Sequence, residues 1–495
     1  MILATPFSPM VPTNNNIQTT THHHHLLHLL NQCSTISQLK QIHAHTLRTT
    51  TTVHPHTLFL HTRILHFSSL HDLNYTLRFF NTHIQYPNSF VYNTVIRAFA
   101  RSSDRKHEAI LFYLKMLCDG NVVPDKHTFP FVLKACAYLF ALEEGKQLHA
   151  QVVKLGFASD VYVNNSLIHL YGSCGSLEDA RNVFDEMPER SVVSWNVMID
   201  ALVQLNEFDE ALVCFREMQE SFEADGFAIQ SVLRACAGLG ALSLGMWVHA
   251  YVLKKCSPEV AGDVLVNNYL LDMYCKCGSL ETAEFVFERM VKHDVTSWNT
   301  MIHGLANHGK VVEALEYFRR MVDEERLMPN SITFSGVLSA CRHSGMVDKG
   351  RNYFTIMTTH YGIEPVLEHY GCLVDLLARA GLISEALDVV CSMPIKPDVV
   401  IWRSILDACS KRTVGIEISE EMAKKIMETE EGSKLSGGYV LLSRVYAAAR
   451  KWDEVGAVRK LMDDKGVAKE PGCSTIEIDG VAHEFFAGDT SLSRI

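Results

Sequence analysis

The sequence predicts an all-α fold, a right-handed superhelical solenoid of stacked helix-turn-helix units. Three observations predict it. Asn93, Asn196 and Asn299 sit in the near-identical strings FVYNTVI, VSWNVMI and TSWNTMI, each 103 residues after the last. A second register recurs alongside: LYGSCGSLEDA around Cys174 returns as MYCKCGSLETA around Cys277. Between them LKACAYL returns as LRACAGL, and each is followed by a GxxxHA string, ending at Ala150 and Ala250. Such a super-repeat holds three unlike sub-repeats. None can bury its apolar face alone, so each must stack on its neighbours and the stack presents an extended surface.

Residues 192–225 show how one unit is built. Trp195, Val197, Met198, Ala201 and Leu202 mark an apolar face at helical spacing. Asn206-Glu-Phe interrupts it, and Ala211, Leu212, Phe215 and Met218 form a second stripe. Residues 89–125 and 295–330 repeat this form. Residues 161–191 and 264–294 are a shorter form of 31 residues, in which Gly175 and Gly278 end the first helix as C-caps. Ser176 and Ser279 then start the second helix as N-caps, with acid in the first turn. Residues 126–160 and 226–263 are the third form, which 331–365 resemble, and 366–398 are a short unit ending MPIKPD. Before residue 89 the pattern is worn, but Leu39-Lys-Gln-Ile-His-Ala echoes the GxxxHA strings. Residues 26–88 therefore hold degenerate repeats. Prolines 124, 329, 365 and 397 fall near unit ends, where helices must stop.

Composition narrows the function classes. The longest apolar runs are far short of a membrane span. Among the fourteen cysteines, Cys136, Cys236, Cys341 and Cys409 recur inside apolar stripes, where free cysteine acts as a small hydrophobe. No CxxC pair offers a zinc half-site, so no metal or other cofactor is expected. The same applies to His149 and His249 of the GxxxHA strings, which read as packing residues. A net charge of −11 works against nucleic-acid binding overall, although a solenoid can keep one face basic and another acidic. The sequence has no nucleophile triad and no phosphate loop, so it is not expected to be an enzyme. Residues 1–25 are rich in Thr, Ser, Pro and Asn, lack acid and arginine, and have no long apolar run. That composition fits a chloroplast-type transit peptide, with a mitochondrial address or a plain disordered tail as alternatives.

The 35-residue unit resembles the pentatricopeptide repeat. The strings VLKAC, CGSLEDA, VSWN and EHYGCLVDLLARAG, in that order, make the resemblance specific. Long, short and standard forms in rotation resemble the PLS subclass of plant organelle proteins. Residues 399–465 resemble its paired E-type helical repeats, and 466–495 resemble a truncated E+ segment. The resemblance implies sequence-specific binding of single-stranded organellar RNA. It further implies a site-recognition factor for C-to-U editing, partnered by a DYW-type deaminase and accessory editing factors. The deaminase would be supplied in trans. A zinc deaminase needs HxE and PCxxC, whereas after residue 466 the sequence offers one cysteine, Cys473, and one histidine, His483.

In the family, the fifth and last residues of a repeat read a base edge and the second wedges beside the base. Carried over, Asn93 pairs with Asp125 with Phe90 as wedge. Asn165 pairs with Ser191 with Tyr162 as wedge. Asn196 pairs with Asp225 with Val193 as wedge. Asn268 goes with Asp294, and Asn299 with Asn330. The long repeats have Pro130 with Asp160 and Gln230 with Asp263. The implied ligand reads U-x-C-U-x-U-C, 5′ to 3′. Ser335 with Pro365 and Tyr370 with Asp398 are assigned no base. The chemistry is sound, since an amide offers donor and acceptor in one plane. Trp195 and Trp298, just before two of these asparagines, read as packing residues. Two other functions stay open: RNA stabilisation, splicing or translation control without editing, and a peptide-binding scaffold like the tetratricopeptide solenoids.

Overall fold

Each repeat string folds as an antiparallel pair of helices because its two apolar stripes are separated by a glycine or polar break. The computed structural model describes residues 26–49, 55–412, 416–428, 436–468, 472–478 and 481–487. The transit-peptide reading of 1–25 lies outside them. The chain divides into two compact units, Met1–Met218 and Gln219–Ile495.

In the first unit, Pro55–His71 and Leu73–His83 precede the pairs Ser89–Arg101 with Lys106–Cys118, Phe129–Leu139 with Leu142–Lys154, and Val161–Ser173 with Leu177–Glu186. Val192–Gln204 and Phe208–Gln219 follow, and Asn206 between them adopts a left-handed φ of 63°. The region before residue 89 is helical as well. Helix Ile36–Thr49 carries His43, whose Nδ1 lies 2.5 Å from Tyr75 Oη.

Among the described residues of the second unit are the first helices Gly226–Leu239, Val264–Lys276, Val295–Asn307, Ser331–Ser344, Leu367–Ala380, Val399–Arg412 and Ser436–Ala448. Each packs beside the next, and each has a second helix behind it. The E-type helices are knitted together by Tyr439, Leu441, Leu442, Val445 and Tyr446, all buried in one cluster with Trp402, Ile405 and Met422. No described helix is long and apolar enough to cross a membrane.

First helices approach closely where the sequence supplies a small residue. A Cβ added to Gly172 would lie 2.5 Å from Ala201 Cβ. The glycine of the GxxxHA string does the same job between second and first helices. At Gly145 an added Cβ would meet Leu170 at 2.4 Å, and at Gly245 it would meet Met273 at 2.3 Å. The histidines of those strings are bonded to a tyrosine of the next unit. His149 Nδ1 is 2.8 Å from Tyr171 Oη, and His249 Nδ1 is 2.9 Å from Tyr274 Oη. Burial lowers the pKa of both imidazoles, which favours the neutral form. Cys136, Cys236, Cys341 and Cys409 are free and buried, as their apolar contexts require.

Two sequence expectations need correction. The glycine C-caps hold, with φ of 77° at Gly175 and 78° at Gly278. Ser176 and Ser279 do occupy the N-cap positions, but neither side chain caps the backbone. Their hydroxyls instead meet Asp179 Oδ2 at 2.7 Å and Thr282 Oγ1 at 2.8 Å. The helical fold also ends in a small β-element. Cys473–Ile478 and Val481–Phe486 pair antiparallel, with Ile478 opposite Val481. Residues 475–478 alternate polar and apolar, the period of a strand.

Candidate nucleic-acid interface

In six units the last residue begins the first helix of the next. Asp160, Asp225, Asp263 and Asp294 are N-caps, as are Ser191 and Asn330, and their side chains accept from backbone N–H groups of the first turn. Capping explains why Asp, Asn or Ser stands there. Each cap stabilises its helix by about 1 kcal/mol.

In two places the same cap also holds the asparagine one unit back, and Asp125, three residues ahead of the N-cap Thr128, does likewise. Asn93 Nδ2 donates to Asp125 Oδ1 at 2.9 Å, Asn268 Nδ2 to Asp294 Oδ1 at 3.1 Å, and Asn299 Nδ2 to Asn330 Oδ1 at 3.2 Å. The amide oxygen is fixed as well. Thr128 Oγ1 donates to Asn93 Oδ1, Ser297 Oγ to Asn268 Oδ1 and Thr333 Oγ1 to Asn299 Oδ1, each at 2.7 Å. For Asn93 and Asn268 this fixes the amide flip, since a reversed amide would set its oxygen against a carboxylate oxygen, acceptor facing acceptor. One N–H and one lone pair remain for a ligand. Asn268 and Asn299 are each 5% exposed, so what they offer is an edge.

The hydroxyl residue is the third of the following unit, and reading the sequence by fifth and last residues missed it. The signal was present. Asp294-x-x-Ser297 and Asn330-x-x-Thr333 are reciprocal capping boxes. The carboxyl of Asp294 is held below the usual carboxylate range. Burial opposes ionisation, but it is outweighed by hydrogen bonds from Ser297 N–H, Asn268 and the Ser297 hydroxyl. The cap therefore stays charged at neutral pH.

The Asn165 pair differs. No hydrogen bond joins Asn165 to Ser191. The Ser191 hydroxyl is engaged with Ser194, and Asn165 Oδ1 is buried without a partner. A serine is too short to do what Asp125 and Asp294 do. Asn196 lies half-buried on Val192–Gln204, and Asp225 caps Gly226–Leu239 through Ala228 N–H.

Beside these polar groups stand exposed apolar side chains. Phe90, Tyr162 and Val193 are 55%, 78% and 55% exposed, on helices whose other apolar residues are mostly buried. The second residues Phe227, Leu265, Ile332 and Val400 are exposed too. Trp195 and Trp298, by contrast, are buried edge-on against Phe184 and Phe287, so they pack and do not stack on a ligand. In the second unit an open cleft of about 400 Å³ runs between Val264–Lys276 and Val295–Asn307, with Asn299, Asn330 and Ile332 on its wall.

Comparison with known proteins places this arrangement. Residues 165–192, 193–221, 268–295 and 368–396 match the PPR repeat, 293–343 match the PPR repeat family, and 414–477 match the E motif. A chloroplastic/mitochondrial pentatricopeptide repeat-containing protein of Arabidopsis thaliana is 59% identical over 500 residues, covering 99% of this chain and 78% of the relative. The chain belongs to the pentatricopeptide repeat family. A second, chloroplastic pentatricopeptide repeat protein of Arabidopsis thaliana is 43% identical over 376 residues, which is 76% of this chain and half of the relative. The solved structure of the pentatricopeptide repeat protein PPR10 in complex with an 18-nt psaJ RNA element is similar with a TM-score of 0.65 at 17% identity. That match covers 91% of this chain and 65% of PPR10. At that identity the likeness shows the fold, a solenoid of helical repeats. The helix pairs within 165–221, 268–343 and 368–396 are thus pentatricopeptide repeats by sequence as well as by fold.

Proposed function

We propose that this pentatricopeptide protein binds single-stranded RNA and reads it by the fifth and last residues of its units. The observation that carries the reading is the doubly held amide of Asn93, Asn268 and Asn299, beside exposed second residues. A fixed amide edge meets the Watson–Crick edge of an unpaired base, and an exposed apolar residue packs on its face. By family resemblance, Asn with Asp selects U and Asn with Asn or Ser selects C, giving U-x-C-U-x-U-C. PPR10, whose fold this chain shares, was solved with an RNA element, which supports RNA as the ligand class.

The match to the E motif supports editing as the use of that binding. In this reading the chain is the site-recognition factor and a DYW-type deaminase acts in trans, with accessory factors. Its place is the chloroplast or the mitochondrion, and the name of the 59% identical relative carries both words. Profiling organellar transcripts in plants lacking the protein tests the editing reading. One or a few cytidines unconverted, with transcript ends normal, is the expected result. Altered ends, splicing or translation with every cytidine converted would replace it with an RNA-processing role.

A further inference from the structure

Past the last unit that pairs an asparagine with its cap, the chemistry of the first-helix face changes. A cleft of about 610 Å³ opens between first helices Ser331–Ser344, Leu367–Ala380, Val399–Arg412 and Ser436–Ala448, with Arg342, Arg379, Arg403 and Arg444 set against Asp375 and Asp407. It is the counterpart of the cleft beside Asn299. Val400, Arg403, Ser404 and Asp407 occupy the second, fifth, sixth and ninth places of their unit, where the other cleft has Thr296, Asn299, Thr300 and His303. An arginine therefore stands where an amide stood.

Two of the four guanidiniums are balanced within the fold. Asp375, 6% exposed, lies 2.9 Å from Arg379 Nε and 3.6 Å from Arg342 Nη1. Asp407 is taken by Lys411, at 2.6 Å. Arg403 and Arg444 are exposed, and among the described residues neither makes an ion pair. In a chain of net charge −11, this leaves two unpaired guanidiniums facing one polar cleft. Arginine has donors only, so it cannot offer the paired donor and acceptor that an amide edge presents. Its fork does match the paired oxygens of a phosphate.

We propose that this cleft grips the phosphodiester backbone of RNA lying 3′ of the read bases, with Arg403 and Arg444 as the gripping residues. The inference rests on the RNA-binding reading above, in which a strand read 5′ to 3′ toward Asn299 next passes these units. It deepens that reading: the terminal units hold the strand without reading it, so the nucleotides beyond the read segment are fixed in position whatever their sequence.

The test uses the full chain and two RNAs, one ending at the last read base and one extended by eight uridines at the 3′ end. Affinity is measured across salt for the unmodified protein and for R403Q with R444Q. The expected result is tighter binding of the extended RNA, roughly tenfold, lost in the double variant. The salt slope for that RNA should fall by about 1.4, from about 0.7 per phosphate on a single strand. The short RNA serves as the folding control, with affinity and base preference unchanged by the variant. Equal binding of short and extended RNA, or equal loss on both in the variant, overturns the proposal while leaving the base-reading account standing. Polyglutamate binding that needs both arginines, with no effect of the RNA extension, assigns the cleft to an acidic protein segment and also overturns it. No binding of either RNA by the unmodified chain overturns the proposed function together with this inference.

Discussion

Asn299 and Asn330 face each other across a unit boundary, with Asn299 Nδ2 donating to Asn330 Oδ1 at 3.2 Å and Thr333 Oγ1 holding the other end of the Asn299 amide at 2.7 Å. The cap of one helix thus sets the orientation of the asparagine amide on the helix before it. One side chain starts a helix and holds that amide. A side chain that starts a helix well also aims its neighbour's amide.

Replacing the reader should cost recognition and spare the fold. Asn268→Ala keeps the Asp294 and Ser297 capping box intact. Discrimination at one nucleotide is expected to fall by about 1–3 kcal/mol, with other positions unaffected. Competition binding against RNAs varied at that nucleotide checks it. Unchanged preference would make Asn268 a purely structural brace.

The third residue should behave as a positioning group. Thr333→Val removes the hydroxyl that fixes Asn299 Oδ1 and half of a capping box. Stability should drop by about 1 kcal/mol, and base preference at the Asn299 position should broaden with overall affinity nearly kept. Thr333→Ser should restore the preference. Failure of serine to rescue would separate the hydroxyl from reading.

The N-terminal repeat should carry a pH dependence. Burial, together with nearby His83 and His61, lowers the pKa of His43 from 6.5 to about 4. A depressed folded-state pKa means the unfolded chain binds the proton first. The contribution of His43 is therefore complete above pH 6.5, falls as pH drops, and is exhausted near pH 4. Urea unfolding of wild type and His43→Gln should converge over that window. A constant difference from pH 7 to pH 4 would contradict it.

Close helix approach gives a stability prediction. Gly172→Ala places a methyl 2.5 Å from the methyl of Ala201, which has no flexible end to swing away. A loss of about 1–3 kcal/mol is expected in thermal or chemical unfolding. Adding Ala201→Gly should recover most of it, and a lack of recovery would mean the cost lies in the backbone.

Periodicity made much of this legible in the sequence. The strings around Asn93, Asn196 and Asn299 located the unit, its helices and the cap at its end, because helix starts and stops are local chemistry. Thr128, Ser297 and Thr333 were also visible as capping-box residues, but their second bond spans a unit boundary and only folding reveals it. Asn165 and Ser191 hold matching positions but are not joined by a hydrogen bond, because matching positions do not guarantee matching reach. The pairing of 473–478 with 481–486 follows from alternation over 475–478, which the surrounding helical pattern obscured. Arg403 and Arg444 lie 41 positions apart in a net acidic chain, so composition pointed away from the cleft they share.

The most direct measurement compares binding of U-x-C-U-x-U-C RNA with a scrambled RNA of equal composition, at several salt concentrations. The account predicts that the ordered RNA binds at least tenfold more tightly, and that the ratio survives rising salt because phosphate contacts are common to both. Equal, weak affinities for the two RNAs would contradict it and favour a scaffold that binds peptide.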